Sequence, residues 1–335
     1  MKLFNGLLLL ALVLSACAAP ATPHPKATPF TGARRAVIID TDMAPDDWRA
    51  ILYLLRRQDV AVQAITVAGT GEAHCGPGVR NALGLAMLAG QPNIPVTCGR
   101  DTALAGGHPF PDTWRASADA ALGLRLPANP NGPAALAAPA LIQSLAAAAP
   151  GQVVLLTLGP LTNVAEALQA APGLAGQMAM IYVMGGAVDA PGNNPAASAE
   201  WNFYADPGAA AVVLRSGARL NLVPLDATNH VPVTMSFYNR LKADHAAPVA
   251  QFVFDGLTEE KGQIDSPGYD FWDSLTAAIW VDDSLASFET RGLAVEADSG
   301  RVVARPDAPA VRYAVTADKA RFEQTFLDSV NAVWP

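Results

Sequence analysis

Lysine is scarce in this chain of 335 residues, and nowhere do Lys and Arg gather into a basic cluster. The 22 Lys and Arg are outnumbered by 30 Asp and Glu, leaving a net charge of −8 and a pI near 5.1. A protein that grips phosphate backbones needs the opposite balance, so nucleic acid is excluded as a partner. Long hydrophobic runs are missing as well. The best, residues 7–14, is too short for a permanent membrane-spanning helix. No fixed-period repeat is present, and no break after residue 34 divides the chain. Cysteine is limited to Cys17, Cys75 and Cys98.

These scarce features are placed informatively. The short apolar run follows Lys2 and ends in Leu14-Ser15-Ala16-Cys17, the layout of a secretory signal that is cut off. Leu-Ser-Ala-Cys resembles the lipobox of bacterial lipoproteins, in which the cysteine becomes the lipidated N-terminus. Residues 1–17 are therefore expected to be a lipoprotein signal peptide with Cys17 lipidated; the alternative is an ordinary signal cut near Ala19. Ala18, rather than Asp, implies a periplasm-facing lipoprotein of the outer membrane, in contact with the membrane through its lipid only. Residues 18–33 lack periodicity and read as a flexible tether. In an oxidising compartment Cys75 and Cys98 are candidates for a disulfide, with two buried thiols as the alternative.

The remainder, 34–335, is long enough for one large domain. Ala36-Val37-Ile38-Ile39 reads as a buried strand, and apolar residues recur at helical spacing from Trp48 to Leu55. Between them stand four acids, Asp40, Asp42, Asp46 and Asp47, at a strand-to-helix junction where open α/β sheets place ligands. Residues two apart on a strand share a face, so Asp40 and Asp42 are expected to point the same way. Asp46 and Asp47 return at the helix start. Like charges that close need protons, donors or a cation, and a hard divalent cation is the simplest compensation. Further strands are expected at 61–67, 94–98, 153–158, 180–184 and 220–224, with helices at 77–89, 134–149 and 206–214. Thr162 is a candidate N-cap for another helix. Residues 100–133 read as a long functional loop. The alternation argues an α/β fold: a single domain with a mostly parallel, doubly wound, Rossmann-like central sheet.

Five motifs in order carry a resemblance over residues 35 to the C-terminus. Asp40-Thr41-Asp42-Met43-Ala44-Pro45-Asp46-Asp47 resembles the Asp-x-Asp-Pro-Gly-x-Asp-Asp signature of the inosine-uridine preferring nucleoside hydrolases, with the Pro-Gly pair lost. Gly159-Pro160-Leu161-Thr162-Asn163 matches a second stretch. Met184-Gly185-Gly186, Gly192-Asn193, Glu200-Trp201-Asn202 and Asp206-Pro207 together match a third. Leu225-Asp226-Ala227-Thr228 matches a fourth, and Trp272-Asp273 stands where the family has His-Asp.

The resemblance implies the nucleoside hydrolase fold and calcium-dependent cleavage of the N-glycosidic bond of ribonucleosides by metal-bound water, giving free base and ribose. It implies a Ca²⁺ ion on Asp42, Asp47, the carbonyl of Leu158 and Asp273, with Asp42 as general base. Asp46 and Asn202 would hold ribose hydroxyls, and Glu200 with Asn193 or Asn194 the 5′ side of the sugar. Asp40 is left as support behind the ligands, and Asp226 as a residue that orients loops. Family members are often dimers or tetramers, so a homo-oligomer is among the states implied.

Trp272 is the main departure, because the family's His there is thought to protonate the leaving base. A tryptophan can stack on a base but supplies no proton. His74, His108, His230 and Tyr269 are the other candidates for that task. Two rival readings stand beside the hydrolase. A nucleoside- or sugar-binding lipoprotein without turnover would explain the lost His, though not the retained Asp42. A haloacid dehalogenase-type phosphatase also opens on Asp-x-Asp, but Met43-Ala44 and the scarcity of Lys argue against it.

Overall fold

The computed structural model describes residues 31–332. The expected signal peptide, the Cys17 lipidation site and residues 18–30 of the expected tether lie outside the described residues. One sheet contains β1 (Arg35–Thr41), β2 (Val60–Val67), β3 (Val96–Cys98), β4 (Val153–Thr157), β5 (Met180–Met184), β6 (Leu220–Val223), β7 (Ala286–Val295), β8 (Val302–Ala304) and β9 (Ala310–Ala317). Its order is β3-β2-β1-β4-β5-β6-β9-β7-β8. The first seven strands in that order are parallel, while β7 and β8 extend the far edge antiparallel. The chain runs outward from β1 to β3 and then crosses back to β4. The switch point of the sheet therefore lies between the carboxyl ends of β1 and β4.

The helices are α1 (Pro45–Leu55), α2 (Cys75–Leu88), α3 (Asp112–Asp119), α4 (Ala138–Ala148), α5 (Thr162–Ala170), α6 (Leu174–Gln177) and α7 (Trp201–Ala205). They continue with α8 (Pro207–Leu214), α9 (Leu225–Thr228), α10 (Met235–Ala243), α11 (Pro248–Glu259), α12 (Trp272–Val281) and α13 (Lys319–Val330). The side chains of β1 show why its apolar run is continuous. Val37 and Ile39 are buried with Ile51 of α1, Leu275 of α12 and Phe322 of α13. Ile38, facing the other way, is buried with Ile142 of α4, Val164 of α5 and Val213 of α8. A strand covered on both faces has no place for a polar alternate. Each such side chain contributes about 1.5–3 kcal/mol of burial.

Three local expectations change. Residues 100–133 include α3, whose short polar repeat hides a helix with only Arg115 and Ala118 buried. Thr162 is the first helical residue of α5 rather than its cap. Its hydroxyl donates to Asp206 Oδ2 at 2.7 Å and meets the Thr70 hydroxyl at 2.8 Å. α4 begins at Ala138 with Pro139 in its first turn, where a proline's missing N–H costs nothing.

Candidate active site

The acidic segment leaves β1 at Thr41 and enters α1 at Pro45. Between them Met43 turns the chain with φ of +61°, a left-handed conformation costing a non-glycine residue roughly 1–2 kcal/mol. Two hydrogen bonds hold the turn. The Met43 N–H donates to Thr41 Oγ1 at 3.0 Å, and the Trp48 indole N–H donates to the Met43 carbonyl at 2.8 Å. This replaces the Pro-Gly pair of the signature with a side-chain clamp.

Asp40 lies within β1 and Asp42 one residue past its end, just before this turn. Asp40 is fully buried beneath the site, accepting hydrogen bonds from Thr66 Oγ1 at 2.6 Å and Asn163 Nδ2 at 2.8 Å. Burial pushes its carboxyl up to about 7. Asp42 lies past the strand end and faces a cavity of about 280 Å³. Its oxygens accept from the N–H groups of Ala44 and Glu72, each at 3.3 Å. The backbone approaches it closely on two sides: a Cβ on Gly71 would stand 2.1 Å from Asp42 Cβ, and one on Gly159 2.7 Å from it. Only glycine fits at either place.

Asp47, 1 % exposed, accepts from the Thr41 hydroxyl and from the Asp42 N–H at 3.2 Å. Asp46, Asp47 and Asp273 each offer a carboxylate oxygen within 4.8 Å of the others. Asp273, in the first turn of α12, leaves Oδ1 buried without a partner. Burial raises the carboxyls of Asp46, Asp47 and Asp273 above the ordinary range; at Asp47 and Asp273 repulsion from the neighbouring acids adds to this, and at Asp46 the Arg49 guanidinium opposes it while Glu260 adds to it. Asp42 is pushed up to about 6, by burial first and then by Asp46. Buried carboxylates crowded together around an orphaned oxygen suit a hard cation, which takes oxygen ligands and supplies the missing charge. The tightest grouping contains Asp46; Asp42 and Leu158 border the same cavity outside it.

The loop after β5 supplies the other expected residues. Glu200 borders the cavity and accepts from three backbone N–H groups, those of Asn202 at 2.7 Å, Gly186 at 3.0 Å and Phe203 at 3.2 Å. It thereby caps α7 and closes the Gly185-Gly186 turn, and burial pushes its carboxyl up to about 7. Asn202 donates to the Leu158 carbonyl at 2.8 Å, which leaves that oxygen one lone pair. Asn193 borders the cavity, with Oδ1 accepting from the Trp201 N–H at 3.0 Å. Asn194 is buried, ties up Ser198 and Ala199, and does not border the cavity. Asp226 accepts from the N–H groups of Val188, Asp189 and Ala190, so it orders the loop rather than facing the cavity.

The rest of the lining is aromatic. Phe110 stacks on Trp201 with ring centres 5.0 Å apart, Trp114 lies 5.3 Å from Trp201, and Trp272 meets Tyr269 edge-on at 6.1 Å. All five border the cavity. Sequence reasoning had singled out only Trp272 and Tyr269 among them. Glu72, Phe110, Trp114, Trp201 and Gln263 were missed, although aromatics inside a Gly- and Pro-rich stretch were a signal. None of the histidines considered as proton donors borders the cavity. His74 pairs with Asp119 at 2.8 Å, His108 stacks on Tyr204 at 4.0 Å, and His230 is exposed. Beside this region the Cys75–Cys98 disulfide, with Cα atoms 5.6 Å apart, ties the start of α2 to the end of β3. A larger cleft of about 1020 Å³ runs past that bridge along α2 and residues 119–133, but it gathers no carboxylate cluster like Asp46, Asp47 and Asp273.

Comparison with known proteins gives a consistent neighbourhood. Residues 37–324 match the family described as inosine-uridine preferring nucleoside hydrolase. A probable uridine nucleosidase 1 from Oryza sativa subsp. japonica is 37 % identical over 236 residues, 68 % of this chain and 72 % of that protein. Uridine nucleosidase 1 of Arabidopsis thaliana is 33 % identical over 61 % of this chain and 60 % of its own length. The solved structure titled plant nucleoside hydrolase, PpNRh1 enzyme, superposes with a TM-score of 0.80 at 28 % identity, covering 89 % of this chain and 99 % of that one.

Proposed function

The chain belongs to the inosine-uridine preferring nucleoside hydrolase family, a family of enzymes acting on N-glycosidic bonds, and we propose that it is a calcium-dependent ribonucleoside hydrolase. The observation carrying this reading is the Asp46, Asp47 and Asp273 grouping, with the unpartnered Asp273 Oδ1, at the floor of a cavity lined by aromatic rings. Asp42, Asp47, Asp273 and the Leu158 carbonyl are the oxygens that would hold the ion, with Asp46 beside them. When bound, a calcium ion supplies positive charge for these carboxylates and acidifies water in the site.

The residues perform the remaining work. The reaction breaks the bond from ribose C1′ to the base nitrogen, and water adds its oxygen to C1′. Asp42, fixed by two N–H donors and two flanking glycines, accepts the proton of that water as general base. Asp46 and Asn202 hold ribose hydroxyls, and Asn193 reaches the 5′ side. Glu200 shapes that subsite through the turns it closes. The sugar gains positive charge as the bond breaks, and carboxylates fixed beside it stabilise that charge where it develops. The base stacks on Trp272 and the Phe110, Trp114 and Trp201 cluster. Its electron pair leaves with it, and its proton comes from a donor other than a cavity histidine.

Uridine is the first substrate to try, since two relatives carry that name. We place the enzyme on the periplasmic side of the bacterial envelope, tethered through Cys17, where it would split nucleosides before uptake. The test is chromatography of free base after incubating the purified protein with ribonucleosides. Base release supports the proposal. Tight nucleoside binding without release would favour the binding-lipoprotein reading instead.

A further inference from the structure

Glu72 borders the cavity beside Asp42 and Asp46 and is the acid of its lining to which neither the ion nor the sugar has been assigned. Its backbone N–H is spent on Asp42, while its carboxylate meets no hydrogen-bond donor among the described residues. The loop that carries it is anchored along its length. Arg115 Nη2 donates to the Gly69 carbonyl at 3.1 Å, the Thr70 hydroxyl meets Thr162 at 2.8 Å, and the Ala73 N–H donates to the Asp42 carbonyl at 2.9 Å. At its far end the His74 N–H donates to Asp119 at 2.8 Å, and Cys75 is bridged to Cys98. An unpaired carboxylate held this firmly in a cavity wall is built to receive a donor that arrives with the ligand.

The identity of that donor follows from its neighbours. Arg115 and Asp119, which fix the loop, belong to α3, and α3 also carries Trp114, whose ring borders the cavity. Glu72 and Trp114 thus border one cavity from two segments that are tied together, and a base lying on the aromatic cluster has Glu72 within the same lining. The sugar hydroxyls already have Asp46, Asn193 and Asn202. We infer that Glu72 is a specificity-determining residue that accepts a hydrogen bond from a ring N–H or amino group of the base. The inference rests on the nucleoside hydrolase reading and deepens it. When ionised, the Glu72 carboxylate accepts but does not donate, so bases that present a donor at this edge are then selected over those that do not; burial and the Asp42 and Asp46 carboxyls beside it raise its carboxyl well above the ordinary range.

Methylated bases test this directly. kcat/KM is measured for uridine against 3-methyluridine and for inosine against 1-methylinosine, with the wild type, Glu72→Gln and Glu72→Ala. p-Nitrophenyl riboside, which carries no base, is included, and melting temperatures show that each variant is folded. Hydrogen bonds to charged groups predict a wild-type preference of about ten- to a hundredfold for the unmethylated member of at least one pair. Glu72→Ala should bring that ratio to near one. The isosteric Glu72→Gln, which keeps one accepting oxygen, should retain part of it. An unchanged ratio in both variants, or no wild-type preference in either pair, overturns the inference while leaving the hydrolase reading intact. If the wild type cleaves neither nucleosides nor p-nitrophenyl riboside, the hydrolase reading falls and this inference with it.

Discussion

Replacing Gly71 by Ala should cripple the site through one methyl group. The added Cβ would stand 2.1 Å from Asp42 Cβ and 2.3 Å from Asp42 Oδ2, where ordinary contact begins at 3.4 Å. One side must therefore move by about 1.3 Å. Asp42 cannot retreat freely, because the Gly159 backbone crowds its other side. The 69–74 loop is what must shift, and it takes the Glu72 N–H off Asp42. A misplacement of about 1 Å in a catalytic group costs on the order of 100-fold in rate, while overpacking costs roughly 1–3 kcal/mol of stability. Steady-state uracil release and a thermal melt read the two effects separately. Gly76→Ala is the control, since nothing lies within 4 Å of its added Cβ. A Gly71→Ala enzyme within threefold of wild-type kcat/KM would refute the reasoning.

Three further expectations follow from the same geometry. Asp42→Asn should lower kcat for uridine by about 10²–10⁴-fold, the contribution of a positioned general base; wild-type turnover would remove Asp42 from that role. Trp272→Ala should change relative kcat/KM among bases while leaving calcium affinity, measured by titration calorimetry, within a few fold; loss of calcium binding would contradict the stacking role. In chelator, stability should fall as pH rises. Asp42 at about 6, and Asp40 and Glu200 at about 7, hold protons in the folded state that the unfolded chain has already released. Their folded values are raised, so their contribution is present at low pH and is lost between roughly pH 4 and 7. Melting temperatures should be higher at pH 5 than at pH 8 in chelator, with a smaller drop in calcium. A chelated protein that melts higher at pH 8 would reverse the sign.

The parallel core was legible because β1, β4 and β5 are covered on both faces and their apolar runs are uninterrupted. β7 escaped notice because the polar run Glu289, Thr290 and Arg291 puts polar side chains on both of its faces and breaks the pattern. Motif order located Asp42, Asp46, Asp47, Asn202 and Asp273 around one cavity, and Asp40, expected as support behind them, is buried beneath it. Asn193 and Asn194 were equivalent on spacing and differ in space, because the hydrogen bonds to Ser198 and Ala199 hold Asn194 away from the lining. Glu72 and Trp114 come from segments with no periodic signal, and only the packing of α3 against the 69–75 loop brings them to the site.

The central claim is that the carboxylate cluster around Asp273 holds a divalent cation on which nucleoside cleavage depends. It is tested by stripping the purified protein with chelator, removing the chelator, and following uracil release from uridine as calcium is added back. The expected result is loss of activity on stripping and recovery that saturates at one ion per chain, with no recovery in Asp273→Asn. Full-rate uracil release by the stripped protein would contradict it.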